Sequence, residues 1–212
     1  MLVLASRSPR REALLRATGI EFRVVAPPVE ELTPKRIRGS YSALVKRSAL
    51  EKAQSVGVVL AMRWLSEIAE RGPVQTAAHV GPPSDTDVVL GADTIVVCGP
   101  EVLGKPRDVG DARRMLRKLS GKWHRVYTGV ALVRGSQHVV GYERTEVAFR
   151  RLSKVEVEWY VGTGEPMDKA GGYAIQGEGA GLIRTVRGCY TKVIGLPMPK
   201  LLQMLRKFTA ER

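Results

Sequence analysis

The stretch MLVLASRSPRREALL, Met1–Leu15, decides how the chain begins to fold. Met1–Ala5 is an apolar run that meets Ser6-Arg7 at once, too short for a membrane span or signal peptide, and it reads as a buried first strand. Ser8 suits a helix N-cap and Pro9 the first helical position. Pro9–Thr18 is therefore predicted as a helix with Ala13, Leu14 and Ala17 at helical spacing, stopped at Gly19. Arg10 and Arg11 then put two cations at the positive end of the helix dipole, at a cost of about 0.3–1 kcal/mol each. Either they are a solvated surface pair, or an anion sits at the turn. A strand, a Ser-rich turn and a helix N-terminus already make a phosphate site, which arginines strengthen by bidentate contact.

The rest of the chain mixes both periodicities. Ile20, Phe22 and Val24 alternate as a second strand ending at Pro27-Pro28, and residues 40–55 and 57–70 are predicted as two helices, the second with Ala61, Trp64, Leu65 and Ile68 as its stripe. Gly72–Asp87, rich in Pro and Gly without periodicity, reads as a mobile surface loop. Val88–Val97 is an apolar strand broken by GADT, which delivers polar residues at one end. Asp108–Leu119 is an amphipathic helix. Residues 124–133 and 138–149 form a hairpin around Gly135-Ser136, Ser153 and Glu156 form a capping box, and Leu201, Leu205 and Phe208 mark a terminal helix. No strict βαβ rhythm appears, so an α/β fold with a mixed sheet is expected rather than a Rossmann domain.

With 34 Lys+Arg against 21 Asp+Glu, the chain carries a net charge of +13. That favours polyanionic partners, either nucleic acid or phosphorylated metabolites. Aromatic content is only 6%, with no RNP-like aromatic motif, zinc spacing or basic heptad region, so a nucleic-acid-binding module is the weaker reading. His79, His124 and His138 have no metal-ligand spacing. Two cysteines, Cys98 and Cys189, and no secretory leader point to a cytoplasmic protein.

Three segments carry candidate chemistry. In LGADTIV, Asp93 sits inside an apolar strand, where it needs an arginine, a metal, another cation or solvent. In LGKPRD, Lys105 is a basic loop residue able to meet a phosphate oxygen. In GTGEPMDKAGGYAIQGEGA, Gly162–Ala180, glycines allow close backbone approach while Asp168, Lys169 and Gln176 offer polar groups. Its interior GGYAIQG alternates like a strand, which would present the Gln176 carboxamide to a base edge with one donor and one acceptor.

ASRSPRR, GADTIV, LGKP, SGKWHRVYTG, TEVAFR, GEPMDKAGGYAIQGEGA and VIGLP occur in the order found in the Maf family of nucleoside triphosphate pyrophosphatases, which the chain resembles over most of its length outside residues 57–89. DKAGGYAIQG resembles the branch that prefers dTTP and UTP. The resemblance implies a two-lobed, inosine-triphosphatase-like α/β fold with a central cleft, a homodimer, and a divalent metal, Mg²⁺ or Mn²⁺. It also implies Asp93 as general base, with Glu31, Lys52 and Lys105 in the active site and Arg10, Thr94 and Gln176 as specificity positions. Glu31 comes from VEEL, where Glu30 is the alternative, and Lys52 from ALEKA. Glu31 and Asp93 are the implied metal ligands, and the substrate's phosphates would lie across the turn at Ser6–Ser8 beside Arg10 and Arg11. Two departures stand out: residues 57–89 read as a surface insertion, and Lys192 stands where the family usually has Asn. A binding or cell-division protein on the same fold without turnover is the rival class.

Overall fold

The first strand and helix form as the opening stretch predicts, with β1 at Leu2–Ala5 and α1 at Pro9–Arg16. The computed structural model describes residues 1–29, 39–71 and 87–210. Glu30, Glu31, His79 and most of the expected loop, 72–86, lie outside the described residues.

Among the described residues seven strands form one mixed sheet. Along it the order is β2 (Phe22–Val25), β1, β3 (Val88–Cys98), β5 (Trp123–Arg134), β6 (Gln137–Phe149) and β7 (Ile183–Arg187), while β4 (Glu101–Leu103) pairs with β3. The β1 strand runs parallel to both neighbours, and the other pairings are antiparallel. The β5–β6 hairpin closes through Gly135-Ser136, where Gly135 supplies the positive φ of 56° that so short a loop demands.

Residues 40–70 do not form two helices. A single helix, α2, spans Tyr41–Arg71. Gly57 costs a helix interior only about 1 kcal/mol, and the stripe Val45, Ala49, Ala53, Val56 and Leu60 buries against the sheet. The outer part of the expected second stripe is not core, since Leu65 is 58% exposed. The expected insertion 57–89 thus completes α2 over 57–71 and enters β3 at 88. Asp87 is not a loop residue in solvent either: it is buried, with its carboxylate 2.9 Å from the Met1 ammonium and 2.8 Å from Arg23 Nη2.

The contact of α2 with the sheet requires two glycines. A Cβ on Gly91 or on Gly129 would stand 2.1 Å from the carbonyl oxygen of Ala49 or Val45, respectively. Only with hydrogens at both positions does the helix backbone lie directly on β3 and β5. Helices α3 (Val109–Leu119), capped by Asp108, α4 (Lys154–Gly162), with its Ser153–Glu156 capping box, and α6 (Met198–Ala210) complete the fold. Between β7 and α6 lies the short α5, Tyr190–Ile194.

One more expectation fails locally. GGYAIQG is not a strand: three 3₁₀ turns occupy Glu165–Asp168, Ala170–Gly172 and Gly177–Leu182. Gly171, Gly172 and Gly177 take φ of 77°, 68° and 68°, values that interrupt an extended run. A Cβ on Gly171 would lie 3.0 Å from the Val96 side chain, so the bare backbone packs on β3.

Candidate active site

The site originates in a gap along one edge of β3. The β1 strand covers that edge as far as Gly91, and β4 covers it again only from Val96. Asp93 and Thr94 fall between them and are the two partly exposed residues of an otherwise buried eleven-residue strand. The GADT polar group is therefore mid-strand, not at a strand end, and the missing neighbour opens it to a cleft. The carboxyl end of β1 and the N-terminus of α1 border the same gap, a crevice of the kind that binds ligands in α/β sheets.

Adjacent strand residues point to opposite sheet faces, and each of these two has its own cation. On the α2 face, Lys52 Nζ lies 2.7 Å from Asp93 Oδ1, with the lysine side chain 3% and the aspartate 16% exposed. A mostly covered carboxylate is thus balanced by a buried ammonium, and the close α2 contact brings them together. On the opposite face, the Arg11 guanidinium donates to Thr94 Oγ1 at 3.3 Å and to the Gly195 carbonyl at 3.0 Å. Thr94 Oγ1 in turn lies 3.0 Å from Thr128 Oγ1.

The α1 N-terminus is arranged for an anion. Ser8 holds the N-cap position, but its hydroxyl makes no capping bond; its N–H donates to Ser6 Oγ. Both Ser8 and Arg10 line the cleft. Arg10 Nε is buried with no hydrogen-bond partner among the described residues. An unmet buried donor costs about 1–3 kcal/mol, so an incoming acceptor gains here. Of the two readings of the arginine pair, the solvated surface pair fails: Arg11 is 7% exposed and Arg10 is half-buried.

The glycine-rich segment forms the facing wall, and residues that sequence reading passed over hold it there. Tyr160 Oη accepts the Ala174 N–H at 3.0 Å and bonds the Glu165 carboxylate; burial and that carboxylate both push the phenol well above its ordinary range. Glu165 Oε2 accepts the Gly179 N–H at 2.9 Å. Tyr173 Oη meets His124 Nε2 at 2.8 Å, and Gly171 N–H donates to the Gly104 carbonyl beside Lys105. Lys105 and Gln176 both line the cleft and are solvent-exposed, and the Gln176 carboxamide bonds no described residue. Burial would raise the Asp168 carboxyl, but the Lys169 hydrogen bond and the charges of Lys169 and Arg10 bring it below the usual range.

Asp93, Lys52, Lys105, Ser8, Arg10, Arg11, Thr94 and Gln176 thus gather at one cleft or its immediate wall; Glu31 lies outside the described residues. Among the described residues no cluster of three or more His, Cys, Asp or Glu side chains could by itself hold a metal ion. A carboxylate has about four lone-pair sites, so Asp93 retains capacity beyond Lys52. Mg²⁺ is commonly held by one or two carboxylates, substrate phosphates and waters, and the donor set fits that arrangement. No helix among the described residues is long and apolar enough to cross a membrane.

The Maf-like protein family matches over residues 1–208. The chain is 47% identical over 207 residues to a dTTP/UTP pyrophosphatase of Symbiobacterium thermophilum, covering 98% of this chain and 93% of that protein. Similar proteins of the same name occur in Desulforamulus reducens, at 42% identity with 99% and 97% covered, and in Bacillus cytotoxicus, at 41% with 97% and 94% covered. With the match running through every strand and helix that builds the cleft, the chain belongs to the Maf-like protein family.

Proposed function

We propose that this chain is a nucleoside triphosphate pyrophosphatase that hydrolyses dTTP and UTP to the monophosphate and pyrophosphate. The observation that carries the reading is the Lys52–Asp93 pair in the edge gap of β3, next to a helix N-terminus with Arg10 and Arg11. The dTTP/UTP pyrophosphatases to which the chain is 41–47% identical support the base preference.

In this reading the triphosphate lies over the turn at Ser6–Ser8. Arg10 Nε, the Ser8 hydroxyl and the α1 N–H groups receive its oxygens, and Lys105 reaches in from the opposite side. Asp93 accepts a proton from a water that attacks the α-phosphorus; the α–β anhydride bond breaks and pyrophosphate departs with the electron pair. Lys52 fixes the carboxylate, Arg11 helps bind the phosphate chain, and the other cations offset charge on the leaving group. Asp93, with Glu31 as the further candidate, would hold a divalent ion, which when bound supplies Lewis-acid neutralisation of the phosphates. In the same reading Gln176 and the Tyr173–Gln176 wall meet the base, which is supported by their lining the cleft. Two lobes flanking the cleft, a homodimer and a cytoplasmic setting complete the proposal.

The test is pyrophosphate release by the full chain across UTP, dTTP, CTP and purine triphosphates with Mg²⁺ or Mn²⁺. UTP and dTTP should be cleaved with the highest kcat/KM. Salt-sensitive RNA binding with no release from any nucleotide would overturn the reading in favour of a nucleic-acid-binding protein.

A further inference from the structure

Lys192 has no exposed surface at all, an unusual state for a lysine. It sits in the middle of the five-residue α5, and it does not line the cleft. Its ammonium nitrogen donates to the Val126 carbonyl of β5, and its own carbonyl accepts the Thr128 hydroxyl at 3.1 Å. The same lysine thus ties a short helix to β5 twice, through positions two residues apart on one face of that strand. A third tie, from Thr145 Oγ1 to the Cys189 carbonyl at 3.2 Å, fastens the start of the helix to β6.

What lies at the other end of α5 gives these ties their meaning. The helix stops at Gly195, whose carbonyl accepts Arg11 Nε. A Cβ on Gly195 would stand 3.0 Å from Arg11 Cγ, so this turn abuts the arginine stem directly. Arg11 also donates to Thr94, Thr94 meets Thr128, and Thr128 bonds Lys192. The chain of contacts closes on itself: Arg11, Thr94, Thr128, Lys192, the α5 backbone, Gly195 and Arg11 again. A guanidinium held from two sides loses little orientation entropy when it meets a phosphate, which is how a bidentate site is prepared in advance.

We propose that Lys192 is a positioning residue that orients Arg11 toward the substrate's phosphate chain by clamping α5 to β5. The inference rests on the pyrophosphatase reading for its assay, but not for its geometry. Without the lysine head group α5 retains fewer ties to the sheet, Gly195 shifts, and Arg11 meets the phosphates less well. Binding of the phosphate chain then suffers, while Asp93 and Lys52, on the opposite face of β3, are undisturbed.

A double-mutant cycle tests this, using the full chain with Lys192→Met, Arg11→Lys and the two combined, assayed for kcat and KM with UTP and for affinity toward inorganic pyrophosphate. Lys192→Met keeps the stem and removes the donor. It should raise KM and weaken pyrophosphate binding about tenfold, the scale of one buried hydrogen bond, with kcat changed much less. In the Arg11→Lys background the same change should cost almost nothing further, because its route of action is already gone. Multiplicative losses in the double variant, or wild-type KM in Lys192→Met, would overturn the proposal. Should Lys192→Met not accumulate as folded protein, Lys192→Gln, whose shorter side chain draws the donor back from the Val126 carbonyl, weakens the same clamp, and additivity with Arg11→Lys there refutes it equally. Wild-type protein that cleaves no nucleotide would sink the pyrophosphatase reading alone, since the pyrophosphate-binding cycle still decides the role of Lys192.

Discussion

Lys52 Nζ stands 2.7 Å from Asp93 Oδ1 across 41 residues of sequence, joining the middle of α2 to the middle of β3. Both are largely withdrawn from water, so neither can lose its partner cheaply. Asp93→Asn should fold and lose about 10²–10⁴ of the turnover, because the amide keeps the shape but cannot accept the water's proton. Retention of more than about a tenth of the rate would remove Asp93 from that role. Lys52→Met should be destabilised by up to about 3 kcal/mol, since it strands a mostly covered carboxylate that the cleft still partly solvates. Adding Asp93→Asn to it should restore much of that stability in urea titrations without restoring activity.

The pair depends on how closely α2 approaches the sheet. Gly129→Ala should be far more harmful than an alanine in an open turn, because its Cβ would penetrate the Val45 carbonyl. Relief requires α2 to move away, an overpacking cost of about 1–3 kcal/mol or more that also pulls Lys52 from Asp93. Gly162→Ala, where the added methyl meets nothing within 4 Å, is the matched control. Equal melting temperatures and rates for the two variants would show that the glycine contact does not set the pair.

Periodicity made most of the architecture legible: β1, α1, the β5–β6 hairpin and the capped α3 and α4 stand where turn and cap chemistry placed them. What it could not show was pairing. Asp93 read as a strand-end residue because nothing local reveals that β1 stops at Gly91 and β4 starts at Val96. GGYAIQG alternated like a strand, yet the positive φ of its glycines prevails over alternation. Tyr160 and Lys192 were invisible as site supports because their partners, Ala174 and Val126, lie 14 and 66 residues away. Lys192 did carry one signal, since the family resemblance implied an Asn at that position.

The wall that faces the α1 N-terminus should respond to one phenol. Tyr160→Phe removes the acceptor of the Ala174 N–H and the donor to Glu165 while leaving ring packing intact. The stranded buried N–H should cost about 1–3 kcal/mol of stability. Because Ala174 and Ile175 line the cleft, KM for UTP should rise more than kcat falls. Steady-state kinetics beside urea denaturation would check this; an unchanged KM with the stability loss present would confine Tyr160 to the core.

Lys192 should also shape the response of stability to pH. Burial lowers its pKa to about 7 from 10.5, against the opposing influence of Cys189 and Glu143, with Arg144 adding to the lowering. The folded chain therefore releases this proton near neutrality, whereas the unfolded chain holds it to about pH 10.5. Between those limits the unfolded state binds more protons, so this group makes stability rise with pH, at no more than about 1.4 kcal/mol per pH unit. Below about pH 7 both states carry the proton and the penalty of burying the charge is fully present. Lys192→Met removes the titration, so it should exceed the wild type in stability by most at about pH 6 and by least at about pH 10. Groups that do not interact with Lys192 titrate alike in both proteins and cancel in the difference. Urea denaturation of the pair across that range reads it directly: a gap that narrows as pH rises supports a buried, titrating lysine, and parallel curves would show that Lys192 keeps an ordinary charge in the folded protein.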